Sequence, residues 1–493
     1  MSSPRQILDR LEALGVVPSG VADDSRQVQP GDLFLAYPGD LADGRRYIAD
    51  AIGRGALAVI WQAGGDFVWN PAWTVANFSG AALRALAGPL AHAVYGHPSE
   101  GLSLIAITGT NGKTTISQCI AQAFPKPCAI IGTLGAGFPD ALTETGFTTP
   151  EATTLMRYLA SFRAQRAAAC ALEASSIGIE EGRLSGARVD VAVFTNLTRD
   201  HLDYHGTMEA YAAAKEKLFA WPRLRTAIIN LDDEFGLKLI RQTTAMRVLG
   251  YAIGEGRRDF PALVRAEELV ETPFGQRFNL ILPNGRGVVD TALVGAYNIS
   301  NLLAVAAVLH DAGLLAADVV RRLAELTPPP GRMERLGGND EPLIVVDYAH
   351  TPDALENALT ALRPTALARG GRLCVVFGCG GDRDHGKRPQ MGAVAAAKAD
   401  RVLVTSDNPR REQAQAIIDE ILTGMSHAEV EAERAVAIRR AILEADGRDV
   451  ILLAGKGHEL YQEIAGVRYP FSDLEQAQAA LRLRRSENQE EAA

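Results

Sequence analysis

Apolar runs that stop at loops rich in glycine, hydroxyl and charged side chains recur along most of this chain. Residues 104–107 (Leu-Ile-Ala-Ile) end at Thr108-Gly109-Thr110-Asn111-Gly112-Lys113-Thr114-Thr115, after which apolar positions return at helical spacing (Ile116, Cys119, Ile120, Ala123). A short apolar run followed by a period near 3.6 predicts a buried strand, a tight turn and a helix. The same succession appears at 167–173 before Ala174-Ser175-Ser176, and at 189–194 before Thr195-Asn196-Leu197. It returns at 343–346, 373–377, 402–404 and 450–453. Strands alternating with helices form a parallel sheet, and right-handed crossovers gather the loops after the strands along one edge. The fold class expected is α/β.

Turn signals divide the chain into three domains. Residues 1–98 predict a small N-terminal α/β domain, with an amphipathic helix (Ile7, Leu8, Leu11, Leu14) and strands at 33–36 and 57–61. Within it Asp24-Ser25-Arg26 reads as a turn. Residues 99–330 predict a central P-loop-type domain with a mostly parallel sheet. Pro273-Phe274-Gly275 and Pro283-Asn284-Gly285 mark antiparallel β at its edge, and Gly295 opens an alanine-rich helix through Leu309. Thr149-Pro150 predicts a helix with Pro150 at its first position. Pro328-Pro329-Pro330-Gly331 is the clearest linker, before a Rossmann-like C-terminal domain at 331–493 whose acidic tail, 486–493, is expected to be disordered.

The candidate chemistry begins at Gly109, Thr110, Asn111, Gly112, Lys113, Thr114 and Thr115. Backbone amides of such a turn curl around an anion, and the helix N-terminus adds a positive end. Lys113 would reach the β- and γ-phosphates of a nucleotide, and the Thr114 hydroxyl a Mg²⁺ ion. The loop is a shortened one, because the full pattern needs glycine where this chain has Ile107. Glu173, ending a buried strand beside that loop, reads as a second Mg²⁺ partner. Lys215 shares an inward helix face with Met208, Tyr211, Leu218 and Phe219. It either lays its methylenes over the core with the ammonium outside, or lies buried with a lowered pKa. The neutral amine can then take up CO₂ and become a carbamate that binds a second Mg²⁺.

Charge and cysteine usage narrow the class. A net charge of −9 argues against a nucleic-acid binder. Five cysteines without a C-x-x-C pair read as reduced and buried in a cytoplasmic protein. No apolar run approaches the roughly 18 residues of a membrane span, and the first residues carry no apolar leader.

The phosphate loop, Asn196-Leu197 with Asp200-His201-Leu202-Asp203, Lys215, Asn298, Gly331-Arg332 and Asp347-Tyr348-Ala349-His350 together resemble the Mur ligase family over essentially the whole chain. The resemblance implies an ATP-dependent, ADP-producing acid–amino-acid ligase of peptidoglycan precursor synthesis, working as a cytoplasmic monomer with Mg²⁺. Lys113, Glu173, His201 and Lys215 would be catalytic, with Thr114, Glu173, His201 and the Lys215 carbamate as metal ligands. Asn298, Arg332 and Asp347 would join the phosphate loop around ATP. Ser25, Thr148, Thr149, Ser175, Glu181 and Arg183 would hold a UDP-N-acetylmuramoyl-dipeptide acceptor. Relatives often have glutamine at the place of Glu181, and His-Gln-Ala in place of Asp40-Leu41-Ala42. Asp407-Asn408-Pro409-Arg410 resembles the signature of members that add meso-diaminopimelate, with Arg383, Gly455 and Glu459 beside it. A distal carboxylate needs arginine partners, and lysine would leave Arg383 and Arg410 unpaired. A lysine-adding member and a folylpolyglutamate synthase-like ligase are the alternatives.

Overall fold

A computed structural model describes residues 3–39, 42–254, 256, 260–272, 275–338 and 340–491, the last five by backbone only. Asp40, Leu41, Pro273 and Phe274, which carry the His-Gln-Ala departure and part of one turn signal, lie outside the described residues.

Three α/β layers follow one another. The first holds a four-stranded parallel sheet in chain order: Gly20–Ala22, Asp32–Ala36, Ala58–Gln62 and Ala76–Gly80. The helix Pro4–Ala13 starts with a capping box between Ser3 and Gln6 and buries Ile7 and Leu11, while Leu14 lies past its end and is exposed.

The second layer is an eleven-stranded sheet. The strand that feeds the phosphate loop, Ser103–Thr108, lies between Val191–Phe194 and Ala169–Glu173, parallel to both. Cys128–Gly132 extends the parallel set on one side, and Thr226–Asn230, Arg247–Ile253 and Leu263–Thr272 on the other. Residues Leu104–Ile107 have no exposed face, because helices cover both sides; this is why the run is continuously apolar. Gly275–Leu282 and Gly285–Thr291 complete one edge as an antiparallel meander, as their turn signals predict. The helix Ala296–Asp311 is apolar almost all round, and its stretch 301–309 is buried throughout.

The third layer is Rossmann-like, in the order Glu334–Gly337, Leu343–Asp347, Val450–Ala454, Leu373–Phe377, Arg401–Val404, Glu429–Val430. Only the first strand is antiparallel to its neighbour.

Two local expectations change. The helix after Pro150 begins at Ala152 with Glu151 as its cap, because the Thr149 hydroxyl donates to the Glu173 carbonyl (2.7 Å) instead of capping. The C-terminal segment is a helix, Asp473–Glu491, whose backbone runs into the acidic tail as far as 491. Its run of Ala, Gln, Leu, Arg and Glu favours helix, and Ala477, Ala480 and Leu481 anchor it in a core. Among the described residues no helix is long and apolar enough to cross a membrane, and all five cysteines are free and buried.

Candidate functional site

The phosphate loop is shaped by close approach. Gly109 and Gly112 adopt φ of +149° and +88°, and a Cβ on Gly109 would lie 1.8 Å from the Thr195 hydroxyl. Asn196 Oδ1 accepts from the Asn111 amide (2.9 Å), and the Thr195 hydroxyl donates to the Asn111 carbonyl (2.6 Å). The loop therefore rests on the end of the neighbouring strand. Lys113 Nζ folds back onto the carbonyls of Gly109 (2.9 Å) and Thr110 (2.8 Å), and burial lowers its pKa. The Thr114 hydroxyl donates to Glu173 (3.0 Å) and accepts from Arg332 (3.1 Å). Glu173 also accepts from the amide and hydroxyl of Thr133, both at 3.1 Å.

A second cluster faces the loop. Thr207 caps the helix Met208–Phe219, which carries Lys215 inward; the side chain is 1% exposed, so the surface alternative falls away. Burial, then the nearby Lys113 charge, pushes its pKa well below the ordinary lysine value. Its Nζ lies 4.2 Å from the centre of the Tyr211 ring, whose hydroxyl is 3.1 Å from that of Thr110. Burial pulls His201 down to about 4, leaving a neutral imidazole. Asp200 sits 3.5 Å from His201 Nε2 and 3.8 Å from His350 Nε2. Burial opposes its ionisation, yet the hydrogen bond from His350 and the neighbouring charges hold it well below the usual carboxylate range.

The loops after the C-terminal strands converge as the alternation implies. Arg383, Asp407, Asn408, Arg410, Gly455 and Glu459 line one cavity of about 270 Å³. Pro409 does not line it; its carbonyl packs where a Cβ on Gly381 would come within 2.0 Å. Buried Lys456 bonds Asn408 (3.1 Å) and Glu459 (2.9 Å), and Asn408 donates to Glu459 (2.8 Å). Arg410, at φ +53°, donates to the Gly381 carbonyl (2.7 Å). Thr148, Asp200, His201, Tyr348, His350 and Arg383 line both this cavity and the one of about 370 Å³ that holds the phosphate loop.

Two further cavities adjoin. Asn298, Arg332 and Asp347 line a space of about 400 Å³ beside Asn111, Gly112 and Thr115. Arg332 lies 4.6 Å above the Tyr348 ring, and Asp347, its pKa raised by burial, accepts from the Met333 amide (2.9 Å). Toward the N-terminus, Ser25, Glu181 and Arg183 line about 630 Å³ with Tyr37, Tyr47 and Arg84. Arg183 pairs with Glu181 (2.6 Å) and also lines the phosphate-loop cavity, as do Thr148, Thr149 and Ser175. The candidate residues are thus distributed along one connected path.

Several site residues escaped the sequence reading. Asp200 and His350 were visible only as parts of motifs, because their contact spans distant loops. Thr133 carries no local signal, and Tyr211 read only as a core position on the inward face of its helix. Lys387, Arg388 and Lys456 are basic residues in loop or helix-start segments, which ordinarily lie at the surface.

Family models match in three regions: "Mur ligase family, catalytic domain" over 19–88, "Mur ligase middle domain" over 107–309, and "Mur ligase, glutamate ligase domain" over 331–457. The chain belongs to the Mur ligase family. A curated Mur ligase from Pseudomonas aeruginosa, a UDP-N-acetylmuramoyl-L-alanyl-D-glutamate–2,6-diaminopimelate ligase, is 50% identical over 93% of this chain and 94% of its own. A Neisseria meningitidis serogroup A protein of the same name is 47% identical over 94% of each chain. A solved structure of such a ligase aligns at 36% identity and a TM-score of 0.65, covering 95% of both chains. Folylpolyglutamate synthase from Mycobacterium tuberculosis (19% identity, TM-score 0.60, 76% of this chain and 92% of that one) shares the Mur ligase fold.

Proposed function

We propose that this Mur ligase joins meso-diaminopimelate to UDP-N-acetylmuramoyl-L-alanyl-D-glutamate at the expense of ATP, in the cytoplasm and as a monomer. Regions 1–98, 99–330 and 331–493 would carry the nucleotide-sugar, ATP and the amino acid respectively. The observation that carries the reading is the continuity between the phosphate-loop cavity and the one lined by Arg383 and Arg410. Acid, phosphate donor and amine can meet only where such spaces join.

The acceptor carboxylate attacks the γ-phosphorus of ATP, ADP departs, and an acyl phosphate forms. Both reactants are anions, so the protein's work is alignment and charge neutralisation. Lys113 exchanges the Gly109 and Thr110 carbonyls for phosphate oxygens, and Arg332 approaches from the other side. Arg183, Thr148, Thr149 and Ser175 orient the acceptor, with Ser25 and Glu181 toward the uridine end. Asn298 and Asp347 border the base and ribose. The diaminopimelate amine then attacks the acyl carbon, and phosphate leaves the tetrahedral intermediate. Arg383 and Arg410 fork onto a carboxylate, while Asp407, Asn408, Glu459 and the Gly455 carbonyl receive an ammonium, in a pocket that Pro409 shapes from behind.

Thr114 and Glu173 set hydroxyl and carboxylate oxygens side by side in a buried corner, the hard donors that suit Mg²⁺. Among the described residues no group of three or more His, Cys, Asp or Glu could hold a metal ion. Neutral His201 and the carbamate of Lys215 fit a second ion. Bound there, Mg²⁺ would supply charge neutralisation for the triphosphate and the acceptor carboxylate.

The test is an amino-acid panel with purified protein, ATP, Mg²⁺ and the dipeptide acceptor, read as phosphate release and product mass. Release should require meso-diaminopimelate and the acceptor together. Full-rate ATP hydrolysis without them would sink the proposal.

A further inference from the structure

Lys387 is the first residue of the helix Lys387–Lys398 and is 6% exposed. Among the described residues its ammonium makes no hydrogen bond and no ion pair, and it lines the cavity of Arg383 and Arg410. An ammonium withdrawn from water without a partner is costly, and such a group persists where a ligand completes it. The carboxylates that feel its charge are already engaged. Asp384 takes Arg199 at 3.0 Å and the Gly386 amide at 2.9 Å. Asp200 takes the His201 amide at 2.9 Å and the two imidazoles.

Position selects the ligand. Lys387 lines the C-terminal cavity and is absent from the walls of the phosphate-loop cavity, whereas Arg383 lines both. Its anion therefore belongs to the amino acid rather than to the nucleotide. Arg410 is tied to Gly381 and lies 3.9 Å from Glu463 in the strand Tyr461–Ile464, whereas Lys387 follows a segment that packs on the loop of Asp200 and His201: Asp384 holds Arg199 at 3.0 Å, and a Cβ on Gly386 would come within 2.5 Å of that guanidinium. Diaminopimelate has two amino-acid ends, each with its own carboxylate, and cations carried on different loops of one cavity match one such molecule. We propose that Lys387 binds the carboxylate next to the attacking amine and so fixes which way round the amino acid enters. This rests on the cavity being the diaminopimelate chamber.

The experiment compares wild type, K387M, K387R and R410A in steady state. The amines are meso-diaminopimelate and its monoamide, amidated on the carboxylate remote from the reacting amine. K387M should raise KM for both amines by one common factor, roughly 10- to 100-fold for a lost charge-assisted contact. KM for ATP should stay put, and K387R should recover most of the loss. R410A should instead erode the preference for the free acid over the monoamide. An unchanged amine KM in K387M overturns the assignment, as does an effect confined to the free acid. A loss confined to the ATP-dependent acylation step would reassign Lys387 to the phosphoryl group and also overturn it. If K387M does not fold, K387Q carries the same comparison. Wild type that releases no phosphate in response to diaminopimelate fails the parent reading; wild type that does, with K387M at the same KM, fails only this one.

Discussion

Asn111 Nδ2 lies 2.9 Å from Oδ2 of Asp353, a hydrogen bond that ties the phosphate loop to the first turn of the helix Pro352–Arg369. Both residues line the cavity of Asn298, Arg332 and Asp347, so that space has one wall on each side of the proline linker. With Arg332 on Thr114 and Arg199 on Asp384 (3.0 Å), it fixes how the last sheet sits on the loop.

Removing this clasp should loosen both docking and nucleotide capture. D353A should raise KM for ATP roughly tenfold, the scale of one hydrogen bond to a charged group. Small-angle scattering of the nucleotide-free variant should give a larger radius of gyration than wild type. No change in either quantity would mean that the other two contacts suffice.

Lys215 should be carbamylated in solution. Its depressed pKa favours the neutral amine, the form that reacts with CO₂. Labelled ¹³CO₂ should give a carbamate signal that K215M lacks. Turnover by K215M should fall beyond the roughly 10- to 100-fold typical of losing a supporting residue at a metal site.

Arg410 should govern selectivity. Its left-handed backbone and its bond to the Gly381 carbonyl fix the guanidinium in the cavity wall. R410A should raise KM for diaminopimelate on the order of 100-fold, since the distal carboxylate would lose its partner in a desolvated site. Discrimination against lysine should shrink in the same assay.

The two arginine loops share a buried brace with its own pH signature. Arg388, with a fully buried side chain, binds Glu412 (2.8 Å), Glu420 (3.0 Å) and the Gly380 carbonyl (3.3 Å), and Glu412 accepts the Asp382 amide. The Arg388 hydrogen bond draws Glu412 from its ordinary 4.5 down to about 2. A depressed folded pKa adds stability that is complete above the unfolded value and fades as pH falls toward the folded one. Denaturant midpoints should therefore show E412Q less stable than wild type at pH 6. The gap should narrow between about pH 4.5 and 2.

How much of this could be read from the chain depends on where each signal resides. Local patterns were enough for the strand-loop succession and for the phosphate loop; for Lys215 the spacing from Tyr211, Leu218 and Phe219 put the stem on an inward face but left open whether the ammonium reached solvent, which only its burial decides. The roles of Asp200 and His350 depend on loops some 150 residues apart meeting, which no local pattern encodes. Arg388 and Lys387 fall in Gly386-Lys387-Arg388, a basic helix start indistinguishable from a solvated one until Glu412, Glu420 and the cavity wall surround it. Thr149 looked like a helix cap because its competing acceptor, the Glu173 carbonyl, belongs to another strand.

Arg383 borders two adjoining chambers, which the proposed function gives to phosphate and to the amino acid. A single small molecule with a phosphonate at one end and an α-amino acid at the other could thread past that side chain and occupy both. The tether would turn two weak affinities into one strong one, because the second end binds at the high effective concentration set by the first. The shared wall is thus a route to a bisubstrate inhibitor.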